Sequence, residues 1–308
     1  MLIGDEAGIL EIQEEKYRGN SRMDYHTIEV QPIAGAMGAE VSGIDLSKPL
    51  GNTTSDDIQQ ALCDHKAIFL RDQQLTPEDH LRVAGIFGEF YRVPFVKARD
   101  DHPDIIGIVK EEAAAGKYNF GGVWHSDASF DECPPMGSVL HSLQSPTHGG
   151  DTLWTNMEAA YEALSNGMKV MLDSMNAMHS AERNYGSGEY FTDAENKSVA
   201  MGIENSHAGD RRFAHPVVRT HPITGRKSLF VNPVYTVSFE NMTEDESAPL
   251  LNFLHAHATR PEFTCRFRWT TNALAIWDNR CTMHFTINDY DGQRRHMNRV
   301  TVAGKRPC

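Results

Sequence analysis

Three residues have the types and the spacing of a metal-binding site. His125 and Asp127 lie two positions apart, and His284 lies far downstream. Because alternate residues of a β-strand point to the same side, His125 and Asp127 can reach one ion from a single strand or its frayed end. Two imidazoles and one carboxylate leave half of an octahedral sphere open, as in the facial triad of non-haem Fe(II) oxygenases. With fifteen histidines in the chain, the alternative is that His125 is an ordinary hydrogen-bonded or surface residue.

Two arginines near the end of the sequence share one face of a strand. Arg295 and Arg299 are four positions apart, with Met297 between them at the same parity. Two guanidinium groups on one face repel each other unless each has an anion, and their planar shape suits carboxylates or sulfonates. The pattern indicates two anion sites, one for a dicarboxylate cosubstrate and one for an anionic substrate. The alternative is two exposed arginines on an edge strand.

Motifs spread over residues 28–302 carry a family resemblance. The chain resembles the taurine dioxygenase / 2,4-dichlorophenoxyacetate dioxygenase family of Fe(II)- and 2-oxoglutarate-dependent dioxygenases. Within that family, residues 259–266 and 281–284 are most similar to the (R)-phenoxypropionate (dichlorprop) dioxygenases. The motifs that carry the family resemblance are residues 38–41, 43–46, 69–73, 124–127, 149–152, 221–226, 277–280 and 293–295.

The resemblance implies an iron site and a cosubstrate site. His125, Asp127 and His284 would ligate Fe(II) and would therefore be the catalytic residues. Thr152 and Arg295 would bind the carboxylates of 2-oxoglutarate, and O2 would be the oxidant. The expected reaction hydroxylates a substrate C–H bond and releases succinate and CO2.

The resemblance also implies a pocket for the primary substrate. Arg299 would face the anionic head of the substrate, and Val93, Val96, Gly121 and Ala128 would line the same pocket. The taurine enzyme has a histidine where this chain has Val93 and an asparagine where it has Gly121, and those groups bind taurine. Their replacement favours a carboxylate with an apolar body, such as an aryloxyalkanoate.

Three other functions stay open at this point. Two are enzymes of the same class: a taurine or alkylsulfonate dioxygenase, and a biosynthetic oxidase of an amino-acid-derived carboxylate. The third is a cupin-like binding protein with a vestigial metal site. Thr152 and Arg295 argue against it, because a binding module has no need of residues that hold a cosubstrate.

Composition excludes several classes of partner. The formal net charge of −13 disfavours nucleic acid and anionic membranes. No apolar run is long enough to cross a membrane, and charges at residues 4–6 and 14–16 interrupt any signal peptide. Five cysteines without a Cys-x-x-Cys pair favour reduced thiols. We therefore expect a cytoplasmic enzyme with a small anionic organic substrate. The resemblance adds a homo-oligomer, either a dimer or a tetramer.

Short alternating segments predict a mainly β protein with flanking helices. The resemblance makes this a double-stranded β-helix, which is the jelly roll of the cupins. Residues 1–25 are polar and aperiodic, which predicts a mobile N-terminal extension before a single dioxygenase domain at 26–308. Residues 185–210 are rich in Gly, Ser and Asn, which predicts a lid over the iron or a surface insertion.

Local signals place the helices and strands. Thr76 followed by Pro77 predicts a helix that runs to residue 87, and a further helix is expected at 56–64. Capping boxes at 155–158 and 243–246 predict two more helix starts. Strands are predicted at 67–70, 105–109, 138–142, 217–220, 228–232, 263–269, 274–277 and 299–302, with a hairpin turn at 224–225.

Overall fold

A computed structural model describes residues 25–113, 121–187, 203 and 206–308. The predicted extension at 1–25 lies outside the described residues except for Tyr25, and so does most of the predicted lid at 185–210. The strands are β1 (Glu29–Pro32), β2 (Ala39–Ser42), β3 (Ala67–Leu70), β4 (Ile106–Lys110), β5 (Gly137–Gln144), β6 (Thr152–Asn156), β7 (Asn176–Ser180), β8 (Arg212–Pro216), β9 (Val218–Thr220), β10 (Lys227–Leu229), β11 (Thr236–Phe239), β12 (Thr264–Phe267), β13 (Leu274–Asp278), β14 (Thr282–Thr286) and β15 (Arg295–Val302). The α-helices are α1 (Asn52–His65), α2 (Pro77–Gly85), α3 (Met157–Glu162), α4 (Asn166–Leu172), α5 (Glu182–Tyr185) and α6 (Glu244–Ala258).

Two sheets enclose the interior. The larger has the strand order β1-β2-β3-β13-β5-β15-β4, and the one that faces it has the order β12-β6-β14. The described residues also form a three-stranded sheet, β11-β7-β8, and the β9–β10 hairpin. Side chains from both sheets meet in one apolar cluster, in which Phe69 stacks on Phe267 with ring centroids 4.3 Å apart. A second cluster packs α1 and α2 against the outer face of the larger sheet. Two facing sheets with helices packed outside them confirm the predicted double-stranded β-helix.

Most of the local predictions are confirmed. Thr76 and Thr243 both close capping boxes, although α2 ends at Gly85 and not at residue 87. The hairpin turn at 224–225 joins β9 to β10. The helix predicted to begin at Thr155 is capped by Asn156 instead, whose side chain accepts from two helix N–H groups. Thr155 pairs on both edges of β6 and its hydroxyl donates to the Ala258 carbonyl, whereas Asn156, the last residue of β6, pairs on one edge only.

Several strands have different lengths from those predicted. β5 (Gly137–Gln144) is longer than the predicted 138–142, and β12 (Thr264–Phe267) is shorter than the predicted 263–269. β15 begins at Arg295 and is therefore four residues longer than the predicted 299–302 strand. β10 ends at Leu229, short of the predicted residue 232. Asn232 accepts hydrogen bonds from the backbone N–H groups of Val234 and Tyr235, and this turns the chain. Across the described ranges, no helix has the length and apolarity to cross a membrane.

Candidate metal and cosubstrate site

His125 and His284 are held side by side by backbone hydrogen bonds. The N–H of each residue donates to the carbonyl of the other, at 3.1 and 2.8 Å. This antiparallel bridge joins the segment after residue 121 to β14 and places the two imidazole centroids 4.1 Å apart. The Nε2 atoms of both rings face one oxygen of Asp127, Oδ1, at 3.7 and 3.8 Å. The three residues predicted from spacing therefore lie together and are buried.

Asp127 is held through both its side chain and its backbone. Its Oδ1 accepts from Arg299 Nη1 at 3.0 Å, and its Oδ2 accepts from the Ser138 hydroxyl at 3.0 Å. The side-chain amide of Asn279 holds the backbone of Asp127 at both polar groups. The Asp127 N–H donates to Asn279 Oδ1 at 2.7 Å, and Asn279 Nδ2 donates to the Asp127 carbonyl at 2.9 Å. The next residue, Ala128, has φ 44°, a conformation that costs energy for a residue with a Cβ. The contacts of Asn279 hold this strained backbone in place.

The ionisation states of the two imidazoles and of the Asp127 carboxyl suit the binding of a metal cation. Burial alone would raise the pKa of the Asp127 carboxyl, but Arg299, the two histidines and Ser138 outweigh it and lower that pKa to about 2. Burial lowers the pKa of both imidazoles, to about 3 for His284. Both rings are therefore neutral near pH 7. His125 Nδ1 lies 2.8 Å from the Val123 carbonyl, which accepts its proton and leaves the Nε2 lone pair facing Asp127.

The donor set fits the metal that the facial triad implies. Two neutral imidazoles and one ionised carboxylate suit Fe(II), and none of the three is a thiolate. The Nδ1 atom of His284 is buried without a hydrogen-bond partner among the described residues, so that ring is oriented by packing. Trp277 provides this packing, with its centroid 4.9 Å from the His284 ring.

A cavity beside the triad brings together the residues predicted to hold a dicarboxylate. Thr152 and Arg295 line it with His125, His284 and Arg299. Arg295 is 5% exposed, and its Nε and Nη2 atoms have no acceptor among the described residues. Burial lowers the pKa of this guanidinium. A buried cation with unused donors fits a carboxylate ligand. The other lining residues are Ile108, Gly121, Leu140, Trp154, Trp277 and Thr286.

Arg295 and Arg299 point inward from a central strand. β15 pairs with β4 on one edge and with β5 on the other, and both arginines are buried. The alternative of two exposed arginines on an edge strand is therefore wrong. The guanidinium of Arg299 lies against the carboxylate of Asp127, a contact between residues 172 positions apart. Spacing alone did not predict it.

The residues predicted to line a substrate pocket occupy three places. Gly121 lies against the metal triad, and a Cβ added there would come within 3.5 Å of the His125 ring. Ala128 packs in the aromatic cluster described next. Val93 and Val96 pack with Ile106 and Ile108 near β4, and neither valine lines the cavity beside the triad.

Sequence reasoning missed an aromatic cluster, which consists of Phe95, Phe130, Tyr185 and Tyr235. Phe95 stacks on Tyr185 at 5.5 Å, and Phe130 meets Tyr235 edge-on at 4.9 Å. Ala128, which directly follows Asp127, packs in the same buried cluster, so the cluster lies beside Asp127. Burial raises the pKa of both tyrosines. Three members had a signal in the sequence: Phe95 lies between Val93 and Val96, Phe130 lies three positions after Asp127, and Tyr185 begins the predicted lid.

A second group of possible ligands is a structural network. His221, Asp278 and Cys281 are buried close together. The Asp278 carboxylate already accepts from the backbone and side chain of Arg280 and from His221 Nε2 at 2.9 Å. His221 Nδ1 accepts from Thr224 N, so the ring proton is on Nε2. With the carboxylate and the imidazole both committed, the group stabilises the end of β13 and offers no metal site.

Comparison with known proteins agrees with this site. The sequence model of the family described as "Taurine catabolism dioxygenase TauD, TfdA family" matches residues 29–301. The chain is 35% identical to the alpha-ketoglutarate-dependent sulfate ester dioxygenase of Pseudomonas putida, over 91% of each chain. It is 30% identical to the alpha-ketoglutarate-dependent 2,4-dichlorophenoxyacetate dioxygenase of Cupriavidus pinatubonensis, over 90% of this chain and 98% of that one. The crystal structure of a taurine dioxygenase from Burkholderia xenovorans is similar, with a TM-score of 0.75 and 33% identity, over 92% of this chain and 91% of that one.

Proposed function

The chain belongs to the TauD/TfdA family of Fe(II)- and 2-oxoglutarate-dependent dioxygenases, and we propose that its substrate is a small organic anion with an apolar body. As a member of that family it is an enzyme, which disfavours the cupin-like binding protein. Its cofactor is Fe(II), and its cosubstrates are 2-oxoglutarate (alpha-ketoglutarate) and O2. The observation that carries the substrate proposal is that a cation and an aromatic cluster both lie beside Asp127. Arg299 donates to the Asp127 carboxylate, and Ala128, the next residue, packs in the cluster.

We assign each predicted residue a role in this reaction. His125, Asp127 and His284 would hold the iron, and Thr152 and Arg295 would bind 2-oxoglutarate. The iron with its cosubstrates supplies the oxidising equivalents that hydroxylate a substrate C–H bond, with release of succinate and CO2. The protein keeps the two imidazoles neutral and the carboxylate ionised, so that all three donor atoms are available.

The residues around Asp127 would select and orient the substrate. Arg299 is 4% exposed and offers a planar set of donors to an anionic head group. The aromatic cluster provides an apolar wall that excludes water from the reacting carbon. Val93, Val96, Gly121 and Ala128 would extend this wall, and none of them offers a polar side chain for the amine of taurine.

Two kinds of anionic substrate are candidates for this pocket. A sulfate ester is the first candidate, because a relative named for sulfate esters is 35% identical to this chain. An aryloxyalkanoate is the second, because a relative named for 2,4-dichlorophenoxyacetate is 30% identical over nearly its whole length. In both substrates the target carbon bears an oxygen, so hydroxylation there would break that C–O bond. An alkyl sulfate would yield an aldehyde and inorganic sulfate.

A substrate screen tests the proposal. The protein is loaded anaerobically with Fe(II) and 2-oxoglutarate, exposed to O2, and assayed for succinate with hexyl sulfate, 2-(2,4-dichlorophenoxy)propanoate and taurine. We expect succinate release above the substrate-free level with one of the first two and little with taurine. Hexyl methyl ether, which has no charge, should be a poor substrate because it cannot accept charge-assisted hydrogen bonds from the Arg299 guanidinium.

The inactive control is His125→Ala, which removes one metal ligand and should abolish succinate formation with every compound. Full turnover by this variant would contradict the iron site. Preference for taurine, or for the neutral ether, would contradict the proposed substrate class and leave the iron site standing.

A further inference from the structure

One side chain contacts both residues that are proposed to bind 2-oxoglutarate. Trp269 follows β12 and is 3% exposed. Its indole Nε1 donates a hydrogen bond to the Thr152 hydroxyl at 3.0 Å. The Arg295 guanidinium carbon lies 5.9 Å from the centroid of the same indole, within the range of a cation–π contact. Trp269 therefore links Thr152 to Arg295. These two residues, Thr152 and Arg295, form the cosubstrate clamp.

The strand register fixes where this indole lies. β12 pairs with β6 so that Phe267 is opposite Thr152, and Trp269 follows two residues later. The Phe267 ring packs edge-on against the Trp269 indole with centroids 5.2 Å apart. An indole held between a paired strand and an aromatic ring has little freedom to turn, so its N–H stays directed at Thr152.

The hydrogen bond decides what the Thr152 hydroxyl can do. A hydroxyl group has one proton and two acceptor lone pairs, and its proton rotates to suit its surroundings. The indole N–H can only donate, so it occupies a lone pair and turns the hydroxyl proton away from itself. A carboxylate has no proton and needs donors. The clamp would offer it the Thr152 O–H and the unused Nε and Nη2 donors of Arg295.

We propose that Trp269 is a positioning residue of the cosubstrate clamp, which commits the Thr152 hydroxyl to act as a donor and packs against the Arg295 guanidinium. This inference rests on the proposed function. Trp269 acts through its neighbours and takes no part in the chemical step.

A double-mutant cycle tests the inference. Binding of N-oxalylglycine, a non-reactive analogue of 2-oxoglutarate, is measured by calorimetry on Mn(II)-loaded protein. Trp269→Phe keeps an aromatic ring and removes the N–H, and we expect binding to weaken about three- to tenfold, the size of one lost hydrogen bond. In a Thr152→Val background, the same change should have little further effect, because the hydroxyl that it acts through is absent.

Two more variants separate positioning from packing. Phe239→Leu removes a fully buried aromatic ring from a cluster that does not include Trp269, and it should lower the melting temperature while keeping the analogue affinity. Trp269→His restores a ring N–H and should bind the analogue more tightly than Trp269→Phe. It also serves as the second probe if Trp269→Phe does not fold.

The outcomes are distinguishable. Equal affinity of wild type and Trp269→Phe, or equal losses in the presence and absence of the Thr152 hydroxyl, would overturn the role of Trp269 alone. Wild-type protein that binds no N-oxalylglycine would contradict the proposed cosubstrate site itself.

Discussion

Asp127 is the most constrained of the three proposed metal ligands. A serine and an arginine hold its carboxylate, Asn279 holds its backbone, and the next residue, Ala128, has a positive φ. Strain of this kind persists only where the surrounding contacts impose it, and it is common at functional sites. The chain thus directs one carboxylate oxygen at the two imidazoles at some cost in stability.

The buried ion pair between Arg299 and Asp127 predicts how the loss of a single side chain changes stability. Both side chains are buried, so Arg299→Met leaves a buried carboxylate without its cation, which costs about 3–5 kcal/mol of unfolding free energy. We expect Mn(II) to raise the melting temperature of this variant more than that of the wild type, because the metal supplies the missing positive charge. Thermal unfolding with and without Mn(II) measures both effects.

The neighbouring Arg294 offers a matched control. Its ion pair with Glu111 is on the surface, where such pairs contribute about 0–1 kcal/mol. Arg294→Met should therefore change neither the melting temperature nor its response to Mn(II) by much. If Arg299→Met behaves like Arg294→Met, the buried pair has no role in holding the carboxylate.

β15 shows how one strand serves both the site and the core. Arg295, Met297 and Arg299 face the interior between the sheets, where Met297 packs with the aromatic core. Val300 and Val302 face the opposite way and pack against α1 and α2. The alternation of a strand thus separates the residues that bind ligands from those that stabilise the fold.

Because the two faces of β15 have separate roles, substitutions on them should have different effects on stability and on ligand affinity. Val300→Ala removes two buried carbon groups and should lower the unfolding free energy by about 2 kcal/mol, while leaving N-oxalylglycine affinity unchanged. Met297→Ala, between the two arginines, should reduce both stability and affinity. Chemical denaturation and calorimetry are the measurements. Equal losses of affinity in the two variants would show that the faces are not independent.

Across the whole molecule, buried histidines make stability depend on pH. Burial lowers the pKa of His80 to about 3 and of His215 and the partly buried His255 to about 4, and it lowers that of His179 and His284 as well. In the unfolded chain these groups titrate near their usual value of about 6.5. The contribution of these neutral histidines to the free energy of unfolding is therefore fully present above pH 6.5. It is lost as the pH falls towards 4, because the unfolded chain binds protons that the folded chain does not.

We therefore expect stability to fall steeply below pH 6.5, by up to ~1.4 kcal/mol per pH unit for each buried histidine. Chemical denaturation between pH 7.5 and 5 measures the slope. His255→Gln removes one of these groups, away from the metal triad, and should make the slope shallower by about one proton. A stability that is constant over this range would contradict the buried neutral histidines.

Local sequence signals predicted the helix starts and strands whose conformation is set by residues a few positions apart in the sequence. The capping boxes at Thr76 and Thr243 and most strands follow from backbone geometry within a few positions. The triad was readable because two residues at a spacing of two can reach one ion, and because the family motifs supplied His284. In the structure only His125 forms a β-bridge, and Asp127 lies in the turn that follows. The same reasoning failed at Thr155, where pairing of β6 with two other strands outweighed the local helix signal.

Only the tertiary structure decided which distant residues meet. The Arg299–Asp127 pair spans 172 positions, and the Trp269–Thr152 hydrogen bond spans 117. Neither contact has a periodicity or a spacing that one sequence can reveal, because each depends on the register of strands that pair across the sheets. The sequence by itself therefore determined the ligand types and most of the elements. The packing of the two sheets determined which side chain holds each ligand in place.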